Sequence, residues 1–477
     1  MNTHLEFLSA KDALQGFAAG TLTPPELLEA VLAAAQRQRP IINASTAIHA
    51  EAARAQALES ARRWRDGTAR ALEGVPVIVK EETAVRGWRQ TFGSLLHDDI
   101  AEDDHPIVDK LRQAGAVLHF QSTTPEYCCL GHTWTRRFGV TRNPWNTAMS
   151  CGGSSGGSGA ALAAGCGPLA TGSDMAGSTR IPAAFGGLYG FKPPFARLAP
   201  SPGDELFAFA AEGPMARTFD DLVLMQNVIA GPHPDSYVGL PYTPLPTQWG
   251  DSLRGVKIAY SPALGAPVIQ RSQAENLERA VRALADRGAE IVPVDIAWDL
   301  NEINDALLEG IMAIFYAEDL GRIPAAAVER LCTYNQALVH KYVGRKNSLA
   351  RAAGLAATLH ADLQQKVWGR GLQALVCATT LRVDFPADQD PNLQPVVDIE
   401  GQPVDAYLGW ALTPAFNLLS RYPVMAVPTG QDAASGIPTS MQIVGAPYDD
   451  ETVFRIGHHH AAAGTSTLFR DTFPSRA

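Results

Sequence analysis

The stretch from Met149 to Pro194, MSCGGSSGGSGAALAAGCGPLATGSDMAGSTRIPAAFGGLYGFKPP, constrains this chain more than any other. Glycine at this density, from Gly152 and Gly153 through Gly156, Gly157 and Gly159 to Gly172, Gly177, Gly186, Gly187 and Gly190, weakens any helix or strand left to itself. It implies backbone that bends sharply or lies too close to something for a side chain to fit. Hydroxyls fill the gaps: Ser150, Ser154, Ser155, Ser158, Thr171, Ser173, Ser178 and Thr179. The first cluster, Gly152 to Ser158, reads as a turn feeding a small-residue helix over 158–164. The second, Gly172 to Arg180, offers the successive backbone N–H groups of Met175, Ala176, Gly177 and Ser178 beside a serine hydroxyl. Such a run of amides forms an anion-binding concavity, which a developing oxyanion requires. A serine placed there is a candidate nucleophile.

A serine hydroxyl attacks poorly until a base takes its proton. A lysine serves only where desolvation or neighbouring cations favour its neutral form. Val75, Val77 and Val79 alternate as a buried strand does, with Pro76, Ile78 and Lys80 on the other face. A lysine at a strand end is ordinarily solvated, so Lys80 taken alone does not declare a role. No histidine occurs between Met149 and Pro194, so a triad there needs another base.

Read together, GGSSGGSGAALAAG, SDMAGSTRIPAAFGGLYGFKP and GVPVIVKE resemble the signature of the amidase signature family, hydrolases of amide bonds with a Ser-cisSer-Lys triad. The resemblance implies Ser178 as nucleophile, Ser154 as a bridging serine on a cis peptide bond, and Lys80 as base, working through an acyl-enzyme. Ser155, Asp174 and Arg180 are implied as supports, the last two holding the loop by an ion pair. The implied fold class is α/β, a large twisted mixed β-sheet covered by helices on both faces, forming one domain over residues 1–477. Within it, 1–70 is an N-terminal helical part, 71–200 the catalytic core, and 300–370 a helical insertion that shapes substrate choice. Gly213 to Arg217, Thr413 to Asn417, Pro423 to Pro428 and Gly436 to Gly445 also resemble family elements. Glu81 stands where relatives commonly have Asp, Ala176 where glycine is common, and Thr179 where Ile or Leu is usual.

Tyr127, Trp134, Gly152, Gly153 and Phe207 are the expected substrate-binding residues. His132, Phe209 and Phe315 are further candidates near the mouth, with core packing an equal alternative for the residues of the 123–134 segment. This aromatic and apolar company favours a small hydrophobic or aryl amide over free glutamine. Carbamates (urethanes) and esters stay open, because the same tetrahedral chemistry serves them, and so does a glutaminase subunit of an amidotransferase complex. A rival enzyme class is suggested by Gly152-Gly153-Ser154-Ser155-Gly156, which formally fits the G-x-S-x-G elbow. That elbow follows a buried strand, whereas Asn143 to Cys151 is polar and turn-rich.

Composition narrows the remaining classes. A formal net charge of −10 with scattered basic residues disfavours nucleic acid as a partner. The six cysteines, at 128, 129, 151, 166, 332 and 377, lack CxxC or zinc-finger spacing and read as reduced thiols. No metal and no cofactor is expected: the acidic run from His97 to His105 reads as a solvated loop, and three successive histidines at 458–460 cannot converge on one ion from a helix. No charge-free apolar run is long enough to span a bilayer, and the N-terminus has no leader pattern, so a soluble cytoplasmic protein is expected. A homodimer is a family-level expectation only. Local signals place helices from Ser9 to Gly20, from Thr23 to about 36, over 47–65 and over 108–114, with a strand over 117–120.

Overall fold

The computed structural model describes residues 4–318 and 323–474, without the side chains of 315–318. In chain order, the strands of its main sheet are β1 (Ser45–Ile48), β2 (Pro76–Lys80), β3 (Val117–Ser122), β4 (Leu169–Asp174), β5 (Tyr189–Lys192), β6 (Ala211–Ala216), β7 (Lys257–Tyr260), β8 (Glu290–Pro293), β9 (Ala374–Ala378), β10 (Val424–Gln431) and β11 (Pro438–Gly445). They lie side by side in the order β1-β3-β2-β4-β6-β5-β10-β11-β9-β7-β8. β2 runs parallel to both its neighbours, β3 and β4. From β4 to β9 each step is antiparallel, and parallel pairing resumes through β7 and β8. The sheet is therefore mixed.

Every residue of β2, β4, β9 and β11 is buried. Strands dry on both faces need cover on both faces, and helices supply it. The alternation around Val77 thus marks two buried faces, and Lys80 ends inside the protein instead of in solvent.

The N-terminal helices follow their caps. Ser9 accepts a hydrogen bond from the Asp12 N–H, and Thr23 forms a reciprocal capping box with Glu26. The second helix runs to Ile42, beyond the expected 36, because its buried stripe continues through Ala34, Ala35 and Ile42. The expected helix over 47–65 begins only at Ala50, since Ser45–Ile48 is taken by antiparallel pairing with β3. The helix expected over 108–114 begins at Pro106 and ends at Gln113, its N-terminus capped by the ring of His105, which accepts from the Ile107 N–H.

The small-residue helix spans Gly156–Ala163, starting earlier than 158. Its glycines answer to close approach: a Cβ on Gly157 would lie 2.4 Å from the Thr123 nitrogen. Between β8 and β9 the chain is helical, at Leu300–Glu318, Ala325–Val328, Thr333–Tyr342 and Ser348–Lys366. In the helix Asp450–Ala463, His459 and His460 face the core, and the His460 ring bonds the Pro428 carbonyl. Among the described residues, no helix is long and apolar enough to cross a membrane.

Candidate active site

β2 delivers Lys80 to the centre of the sheet, where its backbone N–H donates to Thr171 Oγ1 of β4 at 2.9 Å. Its side chain is fully buried and ends among three oxygens. Nζ lies 2.8 Å from each of Ser154 Oγ, Ser173 Oγ and Glu82 Oε2. Three acceptors match the three N–H bonds of a protonated amine.

Ser154 follows a cis peptide bond from Gly153. The next residue joins this turn to the second serine segment: the Ser155 N–H donates to the Ser178 carbonyl at 3.1 Å. Ser155 Oγ and Thr179 Oγ1 both donate to the Ser173 carbonyl, at 3.3 and 3.1 Å. The cis turn and the second serine segment are thus bound into one structure.

The loop from Asp174 to Arg180 is held by an ion pair of 2.8 Å with neither side chain exposed. The Asp174 carboxylate also accepts from the N–H groups of Gly177 at 2.9 Å and of Thr179 and Arg180 at 3.3 Å. Burial alone would raise the Asp174 carboxyl, but the Arg180 guanidinium and the hydrogen bonds hold it below the usual carboxylate range. Arg180 in turn donates to Gln442 Oε1 at 2.6 Å, Asn417 Oδ1 at 2.7 Å and the Thr413 carbonyl at 3.1 Å. Thr413 Oγ1 donates to the Ala176 carbonyl at 2.7 Å. Gly177 sits beneath it at φ 114°, where a Cβ would come within 2.0 Å of that hydroxyl oxygen.

Of the four amides expected to cradle an oxyanion, that of Gly177 is engaged with Asp174 and braces the loop. The N–H groups of Met175, Ala176 and Ser178 have no partner among the described residues.

Ser178 opens onto a narrow cleft of about 40 Å³ whose walls include Gly153, Leu130, Ile181, Leu308, Ile311 and Leu338. Beyond Met175 and Cys128, which line both spaces, lies a wider cavity of about 680 Å³ with Glu82, Tyr127, Ser173, Phe207 and Glu212 on its wall. Of the expected substrate-binding residues, Gly153 therefore borders the cleft, and Tyr127 and Phe207 border the cavity. Gly152 and Trp134 line neither; the Trp134 indole donates to the Gln389 carbonyl at 3.0 Å and stands edge-on to Tyr334. Phe209 packs edge-to-face on Phe207. The side chain of Phe315 lies outside the described residues. His132 belongs to the core, stacked on Trp410, with Nδ1 2.8 Å from Ser150 Oγ.

Sequence reasoning did not single out Glu82, Ser173 or Thr413 as partners of this site. β2 ends at Lys80 and the chain turns at once, the Thr83 N–H donating to the Lys80 carbonyl at 3.0 Å, so the turn and not strand alternation brings Glu82 back to the lysine. Nothing local marks Thr413, Asn417 and Gln442 as the residues that hold the loop.

Residues 26–454 match the family described as Amidase. An acylamidase of Rhodococcus erythropolis is 30% identical over 466 residues, covering 95% of this chain and 94% of the relative. A glutamyl-tRNA(Gln) amidotransferase subunit of Roseiflexus sp. (strain RS-1) is 31% identical over 488 residues, covering 95% and 96%. A solved bacterial aryl acylamidase of the amidase signature enzymes matches with a TM-score of 0.84 at 25% identity, over 96% of each chain. A structure of 6-aminohexanoate cyclic dimer hydrolase complexed with substrate matches at a TM-score of 0.82 and 25% identity, over 96% of this chain and 97% of that one.

Proposed function

Because the chain belongs to the amidase family, a hydrolase family acting on carbon-nitrogen bonds, we propose that it cleaves a small amide with a hydrophobic or aryl acyl group through Ser178, Ser154 and Lys80. Lys80, as the free amine, takes the proton of Ser154 while Ser154 takes that of Ser178, and Ser178 Oγ attacks the carbonyl. The N–H groups of Met175, Ala176 and Ser178 stabilise the tetrahedral oxyanion. The proton then returns through Ser154 to the departing amine, leaving an acyl-enzyme that water hydrolyses by the same route. One such donor contributes about 10²–10³ in rate.

The observation that carries this reading is the 2.8 Å contact between Lys80 Nζ and Ser154 Oγ, inside the protein and one peptide from a wall of the cleft onto which Ser178 opens. The acyl preference rests on that cleft, whose lining residues are uncharged. Similarity to an amidotransferase subunit supports a second reading, a glutaminase. The ammonium and carboxylate of glutamine would find no ionic partner in the narrow cleft, which favours the first. Carbamates and esters fit the same chemistry.

Ser178→Ala should lower anilide hydrolysis by about 10⁴–10⁶ and abolish labelling by a fluorophosphonate. Near wild-type turnover in that variant would overturn the assignment. A panel of anilides, primary amides, aryl esters, carbamates and glutamine then ranks the substrates.

A further inference from the structure

We propose that Glu82 is a positioning residue for this hydrolysis: its carboxylate anchors the Lys80 side chain and favours its ammonium form, so that Glu82 sets the pH at which the enzyme becomes active. The inference rests on the reading of Lys80 as the base.

Its foundation is geometric. Glu82 Oε2 lies 2.8 Å from Lys80 Nζ and also accepts from the Cys128 thiol, while Oε1 has no partner among the described residues. The groups facing Lys80 come from several elements. β4 contributes Ser173 and the cis turn contributes Ser154, both uncharged. The segment after β3 contributes Cys128, and β6 contributes Glu212. Burial, with the Glu82 charge beside it, drives the Cys128 thiol far above its ordinary range, so it stays protonated near neutrality, and raises the Glu212 carboxyl well above the carboxylate range. Glu81 is turned away, accepting from the N–H and hydroxyl of Thr91. Among these groups, Glu82 is the carboxylate in ion-pair contact with the lysine, at 2.8 Å.

The consequence for the amine has a definite sign. Burial alone would lower Lys80 towards the neutral form a base needs, and the Glu82 carboxylate, 2.8 Å from Nζ, opposes that by favouring the ammonium. An ammonium cannot accept the Ser154 proton, so kcat/KM rises only as pH climbs through the Lys80 titration. Without the Glu82 charge, that limb must move to lower pH.

The test is the pH profile of kcat/KM for Glu82→Gln, which keeps the shape and an acceptor but removes the charge. The acid limb should move down by at least about one pH unit, giving about tenfold more activity on its acid side than wild type. Glu82→Asp, which keeps the charge, should leave the limb within about 0.5 unit. A folded Glu82→Gln enzyme, still labelled by a fluorophosphonate, whose limb stays in place would overturn the proposal, as would a loss of activity uniform across pH. If Glu82→Gln does not fold, Glu82→Ser gives the same readout. Ser178→Ala run alongside separates the two claims: turnover retained there sinks the triad reading itself, whereas an inactive Ser178→Ala with an unmoved limb sinks the role of Glu82 alone.

Discussion

Asp174 and Arg180 face each other at 2.8 Å with neither side chain reaching solvent, and each also binds backbone or side chains that the other does not. Removing one partner of such a pair leaves an uncompensated buried charge. Arg180→Met should therefore cost about 3–5 kcal/mol in urea unfolding, and the double variant Asp174→Asn/Arg180→Met should recover part of that loss. A single variant as stable as wild type would show that the loop does not depend on this pair.

Gly177 and Thr413 make a tighter prediction about the loop. At φ 114°, with a Cβ placed 2.0 Å from Thr413 Oγ1, Gly177→Ala must push the loop from its position. Since the amides on either side are the proposed oxyanion donors, kcat should fall by about 10²–10³. Thr413→Val, which keeps the volume but removes the donor to the Ala176 carbonyl, should cost roughly tenfold in kcat by loosening the same donors. Steady-state kinetics check both, and unchanged kcat in Gly177→Ala would remove this loop from catalysis.

Lys80 couples activity to stability. Lys80→Met should abolish turnover and, by leaving the mostly buried Glu82 carboxylate without its cation, destabilise the fold by about 3–5 kcal/mol. Adding Glu82→Gln should restore stability without restoring activity. Combined with Ser178→Ala, Lys80→Met should lower the rate little further, because members of one catalytic unit are not additive.

His132 gives a pH dependence unconnected with the reaction. Burial against Trp410 lowers its imidazole from 6.5 to about 3, so the folded protein binds its proton less readily than the unfolded chain. The stability it contributes is complete above pH 6.5 and is lost as pH falls towards 3. Between pH 6.5 and 5 the wild type should lose about 2 kcal/mol more than His132→Gln, measured by urea unfolding. Identical pH slopes would mean that His132 is protonated inside the fold.

What could be read from the letters was whatever a short segment decides. The glycine turn, the capping box at Thr23 and the alternation around Val77 each depend on neighbours in sequence, and each was legible, as was the cap at Ser9, though only the Ser9 half of its expected box forms. The helix expected from 47 was displaced because β1 pairs with a strand more than 60 residues later, a tertiary preference that no local propensity encodes. The four amides from Met175 to Ser178 were visible as a run, but which of them the Asp174 carboxylate would claim was decided by the path of the loop. Trp134 looked like a pocket residue because aromatic side chains serve mouths and cores alike; its hydrogen bond to Gln389 was not visible at a distance of 255 positions.

Arg180 reaches acceptors 233, 237 and 262 positions further along the chain. A ribosome that has released the first two hundred residues has already delivered Lys80, Ser154 and Ser178, the proposed triad, yet the clasp on the loop from Asp174 to Arg180 is still being translated. A product cut short before Thr413 would hold all three residues of the proposed triad and none of the three acceptors that clasp Arg180 from the far end of the chain.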